Sequence, residues 1–155
     1  MSWSDNGTVA ASEHTVTVTF AGSGDAFGSG GRNQACIHVA GSGGGGPVLL
    51  DCGATSLTAL RHLGLDPGEI STVFVSHLHG DHFGGLPFLI LDGQFAHRTR
   101  PLTVAGPRGT GRRLTQAMEC LFPGPHPAAE RGGKDDRLYR RHGLDRGDRR
   151  CGGGC

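Results

Sequence analysis

The run Ser76-His77-Leu78-His79-Gly80-Asp81-His82 constrains this 155-residue chain more than any other stretch. It directly follows Thr72-Val-Phe-Val75, a short apolar segment of the kind a buried strand makes. A strand end running into a loop can turn several side chains into one space, where an uninterrupted helix or strand would hold them apart. Imidazole nitrogen and carboxylate oxygen are borderline-to-hard donors that suit Zn2+, Fe2+ or Mn2+. Gly80 eases so tight a turn. One histidine alone would be an ordinary surface or core residue. Three with an aspartate, in the order H-x-H-x-D-H behind a strand, predict a metal site built from His77, His79, Asp81 and His82.

The residues around this cluster alternate between strand and helix patterns, so the chain reads as α/β. Thr15-Val-Thr-Val-Thr-Phe20 alternates polar and apolar, the period of a half-buried strand. Ala35-Cys-Ile-His-Val39 and Pro47-Val-Leu-Leu-Asp-Cys52 are further strands, joined by the glycine-rich connection 41–46. Helices are predicted over 55–63, with Gly64 ending the first, partly over 83–95, where Pro87 belongs in the first turn, and over 109–121. Pro101-Leu-Thr-Val-Ala105 is another strand. The expected division is a flexible N-terminus over 1–13, a folded unit over 14–123 and a disordered tail over 124–155.

Composition narrows the function classes. Lys+Arg number 15 against Asp+Glu 14, a balance that gives no whole-chain attraction to nucleic acid or an anionic membrane. No apolar run approaches the ~20 residues of a membrane span, and the start lacks the pattern of a signal peptide, so a soluble cytoplasmic protein is expected, with its 5 cysteines reduced.

Four motifs occur in order: 17–28 with Arg32-Asn33, then Leu49-Leu-Asp-Cys-Gly53, then 74–87, then Leu102-Thr-Val-Ala-Gly-Pro107. This series resembles the ribonuclease Z and arylsulfatase-like branch of the metallo-β-lactamase superfamily from residue 15 to about 123. The resemblance implies an αββα fold, of which this chain supplies the first β-sheet half with its helices. It implies a two-zinc site, with Mn2+ or Fe2+ as other occupants, in which His77 and His79 hold the first metal and Asp81 and His82 the second. Asp51 then matches the strand-end aspartate that supports the site. A metal-activated hydroxide would attack a phosphodiester or other ester, such as an RNA 3′ end, and Asp81 would accept or orient the water's proton.

The same resemblance calls for a further histidine, a bridging aspartate and a last histidine, each behind an apolar strand. After Leu121 no such strand is evident, and neither His126, between prolines, nor His142 has the surroundings of a ligand. The tail reads as solvated or out of frame, and the sheet's inner face is expected to stand open, to pair with a second copy or to meet a complementary fragment. The alternative to an active phosphodiesterase is therefore a truncated, inactive metal-binding remnant.

Weaker features have plainer readings. The spacing over 22–28 is G-x-G-x-x-x-G and no helix pattern follows, which argues against dinucleotide binding and for a loop near the metal site. Cys52 and Cys120 are expected as small core residues, His38 and His62 as ordinary strand and helix residues, and Arg108, Arg112 and Arg113 as a solvated helix end.

Overall fold

The computed structural model describes residues 15–123 and the backbone of two later strand segments. Strand β1 (Val16–Gly22) pairs antiparallel with β2 (Cys36–Gly41), which pairs antiparallel with β3 (Val48–Leu50). Helix α1 (Ser56–His62) then leads to β4 (Thr72–Phe74), parallel to β3. Helices α2 (Gly80–Phe83) and α3 (Leu86–Phe95) lead to β5 (Leu102–Ala105), parallel to β4, and α4 (Thr110–Leu121) follows. The fold is thus α/β with a mixed sheet. Among the described residues no helix is long and apolar enough to cross a membrane.

Registers explain the layering. His38, Leu49, Val73 and Val104 stand opposite one another across β2 to β5, so they share one face of the sheet, and all are buried. Leu60 of α1, Leu86 and Ile90 of α3, and Leu114 and Met118 of α4 belong to the same core. Leu114 and Met118 are four apart, one above the other on the helix, which is why the polar remainder of α4 stays in solvent. Each such side chain contributes about 1.5–3 kcal/mol by leaving water.

The expected breaks fall where predicted. Gly64 adopts φ 69° just past α1, its N–H reaching the Arg61 carbonyl while that of Leu65 reaches Leu60, a left-handed helix end that glycine makes without strain. Pro87 sits in the first turn of α3. Asp66 Oδ1 accepts from Gly68 N at 2.8 Å to start the turn before β4.

Two features differ from the sequence reading. Residues 80–83 form a turn of helix where a loop was expected, because the His79 carbonyl accepts the N–H groups of both His82 (3.1 Å) and Phe83 (3.0 Å). Within the stretch expected to be disordered, β6 (Glu130–Arg131) and β7 (Leu138–Arg141) extend the sheet, giving the order β1-β2-β3-β4-β5-β7-β6. Strand β7 pairs antiparallel along β5, whose backbone would otherwise be a bare edge. The rest of that stretch, with His126 and His142, and the predicted flexible N-terminus lie outside the described residues.

Candidate metal centre

The carboxyl ends of the parallel strands β3 and β4 lie side by side, and the residues that leave them build the site. Asp51, directly after β3, takes φ 62°, a left-handed conformation that aspartate tolerates better than most residues. Its N–H bonds the Phe74 carbonyl at 2.8 Å. Its Oδ1 accepts from Ser76 N at 2.7 Å, and its Oδ2 accepts from Ser76 Oγ at 2.8 Å. That same Oδ2 lies 2.7 Å from His82 Nδ1. One carboxylate therefore ties together the end of β3, the end of β4 and α2.

This network sets the tautomers. His82 Nδ1 donates to Asp51, which leaves Nε2 as the free acceptor, 3.5 Å from Asp81 Oδ2. Ser76 gives its single hydroxyl proton to Asp51, so at 3.0 Å from His77 Nδ1 it acts as acceptor, and His77 also keeps Nε2 free. The His77 and His82 rings lie 4.0 Å apart between centroids, tilted by 45° to one another.

Backbone packing holds α2 against the β3 end. Cys52 N donates to the His82 carbonyl at 2.7 Å, and Gly85 N to the Cys52 carbonyl at 2.8 Å. A Cβ on Gly53 would lie 2.3 Å from the Asp81 carbonyl oxygen, and one on Gly85 would lie 2.2 Å from that of Gly53. Only glycine lets these segments approach so closely. Cys36 and Cys52 are buried beneath, and loss of water pushes both thiols up.

Of the predicted residues, His77, Asp81 and His82 offer donor atoms all within 4.8 Å of one another, each half-buried. A tetrahedral cation with bonds of about 2.1 Å sets its donors about 3.4 Å apart, so the group stands slightly open for one. Two free imidazole nitrogens and a carboxylate, with one imidazole backed by a second carboxylate, match the donor chemistry of a divalent cation. His79 is exposed and outside this group, its ring 4.8 Å from that of His77.

His79 and Asp81 line an open cleft of about 530 Å3 together with Ala26, Gln34 and Ala54. The glycine-rich loop thus comes to the cleft. It leads into a short 3-10 turn over Ser29–Gly31 and not a helix N-terminus, consistent with the rejected dinucleotide reading. Two contributors were not singled out in the sequence. Ser76 has no signal beyond its place before His77. Gln34 accepts from Ala54 N (2.7 Å) and donates to the Ala26 carbonyl (3.1 Å), which no local pattern reveals. Arg108, Arg112 and Arg113 are exposed at the start of α4, and Cys120 is exposed, not a core residue, because the buried face of α4 is the one carrying Leu114 and Met118.

A family model described as anti-Pycsar protein Apyc1 matches residues 16–117. The chain belongs to this Apyc1 family. The Apyc1-family segment is also similar to a ribonuclease Z of Agathobacter rectalis, with 39% identity over 79 residues that make up 51% of this chain and 26% of the relative. The short form of human tRNase Z superposes with a TM-score of 0.59 at 33% identity, over 71% of this chain and 40% of that one. The metallo-β-lactamase fold protein YhfI of Bacillus subtilis, at 20% identity and a TM-score of 0.55, covers 66% of this chain and 41% of its own, and supports the fold. The chain has the metallo-β-lactamase fold, and it spans about a quarter of the length of the ribonuclease Z it matches.

Proposed function

We propose that this chain carries the metal-binding half-site of a zinc-dependent phosphodiesterase acting on small phosphodiesters or an RNA 3′ end. The observation that supports this best is the convergence of His77, Asp81 and His82 donors within 4.8 Å. The similarity to a ribonuclease Z and to the short form of human tRNase Z supports a phosphodiester substrate.

His77, Asp81 and His82 are the residues that would hold the cation, with His79 at the cleft rim as the further donor. A bound Zn2+, Mn2+ or Fe2+ supplies Lewis acidity toward a phosphoryl oxygen and lowers the pKa of water. The protein's own groups do the rest. Asp51 keeps His82 in one tautomer and orientation. Asp81, on the cleft wall, accepts or orients a proton. Gln34, which also lines the cleft, fastens Ala26 and Ala54 beside it, so that a substrate meets a preformed surface.

The test is hydrolysis of bis(p-nitrophenyl) phosphate and of an RNA with a 3′ trailer by the full chain. Activity abolished by chelator, restored by Zn2+ and lost in His77→Ala and His82→Ala is the expected result. Stoichiometric metal binding without turnover would leave a metal-binding protein and reject the enzyme.

A further inference from the structure

Helices cover one face of the sheet, and the other carries two rows of side chains with no charge among them. Phe20, Ile37, Leu50, Phe74 and Ala105 stand opposite one another across β1 to β5, and the next row, Val18 to Thr103, holds three valines and two threonines. None of these ten is buried, whereas the row turned to the helices, with Leu49 and Val73, is. Val16 extends the apolar surface along β1, which pairs with β2 alone and so is an edge. The strands after α4 do not cover this face. Strand β7 joins the edge of β5 and β6 joins β7, which lengthens the sheet without adding a layer.

Val16, Val18, Phe20, Leu50 and Phe74 are each 42% to 66% exposed. They offer on the order of 500 Å2 per copy, so two such faces in contact bury about 1,000 Å2 before their half-buried neighbours count, the threshold of a specific interface. Without charges the face can meet its own copy and leave no ion unpaired. Lys+Arg 15 against Asp+Glu 14 leaves little net repulsion between copies. We infer that the chain forms a twofold dimer in which the open sheet faces of two copies pack against one another. Facing sheets keep their strands nearly aligned, about 10 Å apart. A twofold axis parallel to the strands and passing Leu50 sets Leu50 on its own copy, Ile37 on the partner's Phe74 and Phe20 on the partner's Ala105. Large side chains then meet smaller ones. Row order thus makes the face complementary to itself, which is the reason a second copy is its occupant. Because that axis does not reverse the strands, both metal centres lie at the same end of the pair. The pairing does not depend on phosphodiesterase activity.

Sedimentation velocity of the full chain should show a species of twice its 16.1 kDa that dissociates on dilution. Hydrophobic-dye fluorescence per chain should be high in dilute solution and fall as concentration rises and the faces close. Val18→Lys with Phe20→Lys places charges where the partner buries them and should raise the dimer dissociation constant more than about a hundredfold. Phe95→Lys changes a still more exposed ring on α3 and should leave that constant within about twofold. If the lysine pair does not melt cooperatively, Val18→Thr with Phe20→Thr takes its place, with a rise of about tenfold or more. A chain that stays monomeric at every concentration overturns the inference, whether the dye binds it or its own residues exclude the dye. So does a dimer that neither pair of β1 substitutions weakens, or association that runs past two copies without stopping at a dimer.

Discussion

Asp51 is not among the residues that line the cleft, yet three elements meet on its carboxylate. Asp51→Asn keeps a residue that accepts positive φ and removes the charge behind His82. Zinc affinity should fall about 10- to 100-fold, measured by chelator competition, with the fold retained. His38 is a second residue of consequence. It is buried in the core row, its Nδ1 finds no hydrogen-bond partner among the described residues, and burial holds its pKa below the ordinary ~6.5. The unfolded chain therefore takes up a proton near pH 6.5 that the folded chain resists. Stability is full above that pH and is lost as pH falls through it toward the folded value. Denaturant melts from pH 7.5 to 5 should show a steeper loss for the parent than for His38→Leu. Equal slopes would show that His38 does not titrate on unfolding. At this scale the sequence was half legible. The cluster of residues 76–82 stood out because its donors are adjacent in the chain. The Asp51–His82 contact spans 31 residues, and no local pattern announces such a pair.

At the scale of elements, the site depends on how closely α2 approaches the end of β3. Gly85→Ala places a methyl against the Gly53 carbonyl and the Cys52 sulfur. Neither is the free end of a flexible side chain, so the backbone must shift. A loss of about 1–3 kcal/mol is expected by denaturant melting, together with weaker metal binding as α2 moves. Unchanged stability would mean the two segments have slack. Helix and strand assignments followed from periodicity, as in α4, whose buried face carries Leu114 and Met118, and in β1, whose alternation marks a strand although Val16, Val18 and Phe20 stand exposed. The turn at 80–83 did not, because four residues show no period and its hydrogen bonds arise from the His79 carbonyl.

Across the whole molecule the sheet has two unlike faces. Helices cover the row that contains Leu49, Val73 and Val104, whereas Phe20, Ile37, Leu50, Phe74 and Ala105 stand opposite one another on the other side. Phe20 is 66%, Leu50 42% and Phe74 47% exposed, and Val16 and Val18 of β1 are exposed as well. Leu50 and Phe74 end the strands from which the site emerges. So large an apolar surface draws apolar ligands from water. The chain should bind a hydrophobic dye strongly, and Val18→Thr with Phe20→Thr should reduce that fluorescence with little change in melting temperature, since both replacements suit an exposed strand. Dye binding that the pair leaves untouched would place the exposed surface elsewhere.

Sequence alone determined the donor cluster, the α/β alternation and the family resemblance, because each is written in residues near one another in the chain. Tertiary structure decided the rest: the hydrogen bonds of Asp51, the position of His79 outside the closest donors, and the loop that brings Ala26 to the cleft. Those depend on register between strands and on backbone contacts at glycines, quantities that side-chain order along a chain does not encode.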